Sequence, residues 1–174
     1  MNISIRNFTS SLFIIILLIC AVHLPFSSKS RDPKISYPAD TYFKQGLGFL
    51  SLDSLPLAQR AFKSAIDYQP SFAPFHFYLA LAYERQNKYE QALDEYHKVT
   101  DIDPESYRAF YNLGKILGNA KEYHYAITAL RRAVQLNPYY VSAFEYLAKL
   151  YIETGDPESA EKVYDYLKKL NPGE

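Results

Sequence analysis

Four prolines, Pro70, Pro104, Pro138 and Pro172, stand 34 residues apart. Proline lacks an amide hydrogen and clashes with the preceding helical turn, so each one ends a helix or stands outside it. Three more positions keep the same spacing. They are Ala58, Ala92, Ala126 and Ala160; Phe49, Tyr83, Leu117 and Tyr151; and Phe62, Tyr96, Leu130 and Tyr164. With Ala39, Ala73, Tyr107 and Val141 as first positions, the units run 39–72, 73–106, 107–140 and 141–174. Four positions kept in register through four copies make the chain an array of repeated units.

Each unit reads as two helices. In the third, Phe110, Leu113, Gly114 and Leu117 recur at helical spacing, and Ala126, Leu130, Ala133 and Val134 do so again. Between the stripes fall polar turn segments: SLDSLP, RQNKYE, GNAKEY and TGDPES. In the last of these, Gly155 suits a helix C-terminus, Asp156 an N-cap and Pro157 a first helical turn. The expectation is an all-α chain of eight helices.

This pattern is similar to the tetratricopeptide repeat, a helix–turn–helix unit of the same length. The family's small residue at position 8 is Gly46, Ala80, Gly114 and Ala148, and its alanine at position 20 stands in every unit. Small residues there let two helix axes approach to about 8–10 Å. Position 27 is Ala65, Val99, Ala133 and Leu167; the usual tryptophan of position 4 is Tyr42, His76, Phe110 and Phe144. The resemblance implies a right-handed solenoid. In the closing helix, Tyr164 and Leu167 are expected to face inward, with Lys168 and Lys169 in solvent.

The resemblance also implies a concave groove lined by the first helices, through positions 2, 5, 9 and 12. Position 5 is Phe43, Phe77, Tyr111 and Glu145, and position 9 is Leu47, Leu81, Lys115 and Lys149. Position 12 contributes Leu50 and Glu84, and position 2 contributes Arg108. The groove is therefore expected to be aromatic and aliphatic in its first half and cationic in its second. Arg108 and Asn112 match parts of the set with which some members clamp a C-terminal carboxylate. Phe43 and Leu47, or Phe77 and Leu81, replace the leading Lys and Asn of that set, which argues against a clamp of that type. Two readings of the apolar four stand side by side: anchors for a bound peptide, or packing between neighbouring first helices.

Signals of catalysis are missing from the sequence. His23, His76, His97 and His124 are scattered through the register, and none stands with Cys or paired carboxylates at metal-ligand spacing. Six glycines form no phosphate loop. The formal net charge is zero without a basic block, which speaks against a nucleic-acid partner. No cofactor, metal or small-molecule substrate is expected. The chain carries 17 Tyr and 11 Phe and no Trp, and aromatics at helical spacing are mainly core.

Residues 1–30 have another character. Arg6 precedes an apolar run from Leu12 to Val22, and SKS follows at 28–30. The run has the length of a signal-peptide core and is short for a membrane span. A cleaved signal peptide, an uncleaved anchor with Phe8–Phe26 crossing at a tilt, and lipidation at Cys20 all fit. Residues 31–38 read as a linker. A periplasmic or other extracytoplasmic site is favoured, although Lys29, Arg31 and Lys34 after the run could hold an anchored chain facing the cytoplasm. The sequence thus points to a non-enzymatic adaptor that binds a protein or peptide, exported or tethered to a membrane. The alternative is a structural or assembly subunit of an envelope biogenesis or secretion complex.

Overall fold

A computed structural model describes residues 38–170. The apolar run, Cys20 and the linker expected at 31–38, apart from Pro38, lie outside the described residues. Eight helices follow in order: α1 Pro38–Ser51, α2 Leu55–Tyr68, α3 Ala73–Glu84, α4 Tyr89–Ile102, α5 Tyr107–Asn119, α6 Tyr123–Leu136, α7 Val141–Glu153 and α8 Pro157–Leu170. No strand occurs among the described residues. Each helix packs on its sequence neighbours, and the first helices of adjacent units touch as well, α1 with α3 and α5 with α7. The result is a solenoid of paired helices.

The turn inside every unit has one geometry. Position 15 is left-handed in all four: Asp53 at φ 56°, Asn87 at 57°, Lys121 at 65° and Gly155 at 78°. The next residue's amide donates back to the carbonyl of position 11, as in Ser54 to Phe49 at 2.8 Å and Glu122 to Leu117 at 2.9 Å. The amide of position 15 donates to position 12, as in Lys121 to Gly118 at 3.0 Å. These two bonds are the Schellman motif, which satisfies the last carbonyls of the first helix. Asp156 then caps α8, its Oδ1 accepting from the Ser159 amide at 3.1 Å.

Between units the proline does more than stop a helix. Proline's carbonyl is left free to accept, and a side chain of the following unit reaches it each time. His76 Nε2 lies 2.8 Å from the Pro70 oxygen and Tyr166 Oη 3.0 Å from that of Pro138, while Arg132 makes a longer contact of 3.5 Å to Pro104.

The small positions are where the helices meet. Ala58, Ala92 and Ala126 are fully buried and Ala160 nearly so. A Cβ added at Gly114 would lie 2.6 Å from Leu130 Cγ, so only glycine fits beside leucine at that crossing. The core falls into two main blocks. One runs through α1 to α5, with Phe62, Leu79, Tyr96 and Leu113, and the other joins α6 to α7 through Leu130, Ala133, Leu147 and Leu150. Phe110 packs against both. Tyr164, expected to face inward, is 48% exposed. No described helix packs beyond α8, so its outer apolar positions have nothing to bury against, and Ala160 is its one buried residue.

Candidate functional site

The first helices α1, α3, α5 and α7 present positions 2, 5, 9 and 12 on one side, and the structure divides these residues by environment. Phe43 is half-buried in an aromatic cluster, its ring 5.9 Å from Phe62, 5.0 Å from Phe75 and 5.4 Å from Tyr78. Leu47 and Leu81 are half-buried against the same core block. Leu50, expected in the groove, is 7% exposed and belongs to the core itself, because the end of α1 packs into the interior of the first block. Much of the apolar half thus packs between neighbouring first helices. Phe77 keeps one side open. It meets Tyr78 and Tyr96 edge-on at 5.7 and 5.6 Å, and it lines a small cavity together with Arg108, Asp103 and Ser106.

The cationic half is less free than the sequence suggests. Lys115 Nζ lies 2.6 Å from Glu84 Oε1 across α5 and α3. Glu84 Oε2 accepts from the Tyr96 hydroxyl at 3.0 Å, and that hydroxyl accepts from Asn112 Nδ2 at 2.9 Å. Burial, and then the charge of Glu84, push the Tyr96 phenol far up, so it keeps its proton and donates. This chain of four side chains ties α3, α4 and α5 together. Asn112, one of the two matches to the clamp set, is 9% exposed and committed to Tyr96. Lys149 faces its own helix neighbour Glu153 at 3.6 Å and covers the Tyr146 ring at 5.5 Å. Glu145 and Arg108 are exposed, and Arg108 has no ion pair among the described residues. Tyr111 is half-buried with Tyr140 edge-on at 5.0 Å.

The structure adds tyrosines that sequence reasoning passed over. Tyr78 and Tyr146 stand at position 6 on the same helices, and Tyr146 Oη donates to Asn119 Oδ1 at 2.7 Å. Their signal in the sequence is an aromatic directly after position 5 in units two and four, outside the family's groove positions. A second buried polar group lies away from the groove. His76 Nδ1 is 2.6 Å from Glu95 Oε2, and Lys98 reaches the other carboxylate oxygen at 2.7 Å. Among the described residues no His, Cys, Asp and Glu form a group able to hold a metal ion. No described helix is long and apolar enough to cross a membrane.

Comparison with known proteins gives the following. One model of the tetratricopeptide repeat matches residues 43–107 and 83–141, and a second matches 119–174. The type IV pilus assembly protein PilF of Pseudomonas aeruginosa is 28% identical over 147 residues, which is 83% of this chain and 57% of PilF. Its solved structure superposes with a TM-score of 0.68 at 27% identity, covering 79% of this chain and 63% of that one. The crystal structure of MamA protein gives a TM-score of 0.73 at 26% identity, covering 78% and 74%. A UDP-N-acetylglucosamine–peptide N-acetylglucosaminyltransferase of Giardia intestinalis is 30% identical over 132 residues, 76% of this chain and 8% of the enzyme. The chain thus spans about half of PilF and a small fraction of the transferase.

Proposed function

The chain belongs to the tetratricopeptide repeat family, and from that premise we propose that it is a non-enzymatic adaptor whose concave face binds a segment of a partner protein. The family is a protein-interaction scaffold, generally without catalysis of its own. The observation that carries the site is the joint lining of one cavity by Phe77 and Arg108, about 200 Å³ in volume. An apolar side chain of the partner packs on Phe77, and an acidic group beside it meets Arg108. Asp103 lines the same cavity and sets the direction in which that acidic group must point. Leu81, Tyr111 and Lys149 extend the contact along the face, and Lys115 joins it only by exchanging Glu84 for the partner's carboxylate. Residues 1–30 act as export signal or membrane tether, which fits an extracytoplasmic or membrane-associated protein.

The test is capture of the partner from the native membrane fraction, followed by calorimetry with the captured protein. Arg108→Glu should weaken binding about tenfold and flatten its salt dependence, since a rim charge sets on-rate and screening. Undiminished affinity in that variant would remove the groove from consideration. The similarity to a pilus assembly protein supports a second reading, a subunit of an envelope assembly. That reading requires a fixed stoichiometry that survives high salt during copurification.

A further inference from the structure

Successive second helices leave a cleft between them, floored by the intervening first helix, and the three clefts are filled differently. Between α2 and α4 the floor residue is His76, and Glu95 at position 23 closes over it with an ion pair of 2.6 Å. Between α6 and α8 the floor residue is Phe144, and Tyr166 at position 26 covers it, the rings tilted by 32° with centroids 4.7 Å apart. Between α4 and α6 the floor is Phe110, Leu113 and Leu117, but position 23 is Ala129. Alanine is too short to cover the ring. Arg132 at position 26 extends over the ring with its guanidinium carbon 6.0 Å from the Phe110 centroid, and it reaches the Pro104 carbonyl at 3.5 Å, but it leaves the space beside Ala129 open. A cavity of about 810 Å³ remains, where the two core blocks meet.

This cavity is distinct from the concave face. On α5, its floor residues point about 150° away from Arg108, Tyr111 and Lys115, counting about 100° per residue. Its walls combine apolar surface with Thr100, Thr128 and Tyr125, and its rim holds His97, Arg131 and Arg132. None of the residues lining it is acidic. Neither arginine is ion-paired among the described residues.

We propose that the α4–α6 cleft is a second peptide site, which takes a bulky apolar side chain of a partner protein followed directly by acidic residues. The apolar group replaces the residue that units two and four supply for themselves and lies on Phe110 beside Ala129. The carboxylates meet Arg131 and Arg132, whose charge has no counterion in the cleft. Two acids after the anchor match two arginines one residue apart on the last turns of α6. The site stands independently of the groove, so a partner could engage both faces at once.

The experiment uses the full chain and a short fluorescein-labelled Gly-Ser peptide carrying Leu-Phe-Asp-Glu, read by anisotropy. Two control peptides replace the acids by lysines or the apolar pair by alanines. The parent peptide should bind, each control should bind at least about tenfold more weakly, and added salt should weaken the parent. Ala129→Leu, which fills the cavity, and Arg131→Glu, which is exposed and leaves the packing alone, should each lose about tenfold. Arg108→Glu, on the other face, should bind the parent as wild type does. Thermal melting of the variants separates lost binding from lost fold, and Arg131→Glu alone suffices if Ala129→Leu does not fold. Failure of the parent peptide to bind, equal binding by the lysine control, or indifference to Arg131→Glu overturns the site. So does displacement of bound parent by decanoate with no preference among the peptides, which would make the cleft a fatty-acid pocket.

Discussion

Lys121 is the residue at which the repeat geometry and the side chain disagree. Position 15 is left-handed in every unit, and units one, two and four place Asp53, Asn87 and Gly155 there, all of which tolerate that region. A lysine at φ 65° carries a Cβ against the following carbonyl, at a cost of about 1–2 kcal/mol. Lys121→Gly removes that strain, and glycine's greater freedom in the unfolded chain offsets about 0.5–1 kcal/mol of the gain. A net stabilisation of about 0.5–1 kcal/mol is expected, read as a higher urea midpoint at unchanged slope. A midpoint that falls would mean that the Lys121 side chain makes a contact worth more than the backbone strain. Only Gly155 could be recognised from sequence at this position. Asp, Asn and Lys are ordinary turn residues, and the bonds that fix the turn run between backbone groups that carry no side-chain signature. The pairing of Lys115 with Glu84 was hidden for a related reason. The two residues lie on neighbouring units, and helical periodicity describes only one helix at a time.

At the scale of elements, α3 and α4 are joined by a charged contact that few members of a solenoid core would bury. His76 is held between the Glu95 carboxylate and the Pro70 carbonyl, both acceptors, so both ring nitrogens donate and the imidazole is protonated. The bond to Glu95 raises the His76 pKa above its usual 6.5; burial opposes this and the Pro70 carbonyl assists. Burial pushes Glu95 up, but hydrogen bonds from His76 and Lys98, and their charges, outweigh it and leave the carboxyl below its usual 4.5. The His76 contribution is therefore complete below 6.5 and is lost as pH rises through the raised folded value. The Glu95 contribution is complete above 4.5 and is lost as pH falls through the lowered one. Wild type should lose stability as pH is raised above 6.5 and through the raised folded value of His76. The double variant His76→Phe, Glu95→Val, which installs the residue types of unit four, should lose that decline. A wild-type urea midpoint that is flat over the same range would show that the imidazole is not held charged. The histidine was legible as a packing residue, since it stands at position 4. Its partner was not, because position 23 carries Ala, Glu, Ala and Val in the four units and so has no family meaning.

For the whole molecule, the period made the fold readable, because a solenoid's contacts are between neighbours in sequence and each unit repeats the same solution. Function was less readable, because it lies where the units differ. The unequal filling of the three clefts and the division of the core into two blocks are properties of the array, visible only once adjacent units are compared. The same unevenness predicts how the array opens. Stability in a repeat protein is a sum of unit and interface terms, so the ends can unfold while the middle persists. Here α3 sits inside the larger block and buries Phe75, His76, Leu79 and Tyr83 among others, whereas α8 buries Ala160 alone. Helices α6 and α7 share a smaller block, which α5 of the larger block meets through Phe110, Tyr111 and Leu117 on one side of the open cleft. Amide exchange followed by mass spectrometry should therefore be fastest in α8, intermediate in α6 and α7, and slowest in α3 to α5. Protection should rise by about tenfold or more per step, as about 1.4 kcal/mol of added opening cost requires. If α8 exchanged as slowly as α3, the four units would be opening as one cooperative body, and the two-block core would not be the boundary along which this solenoid comes apart.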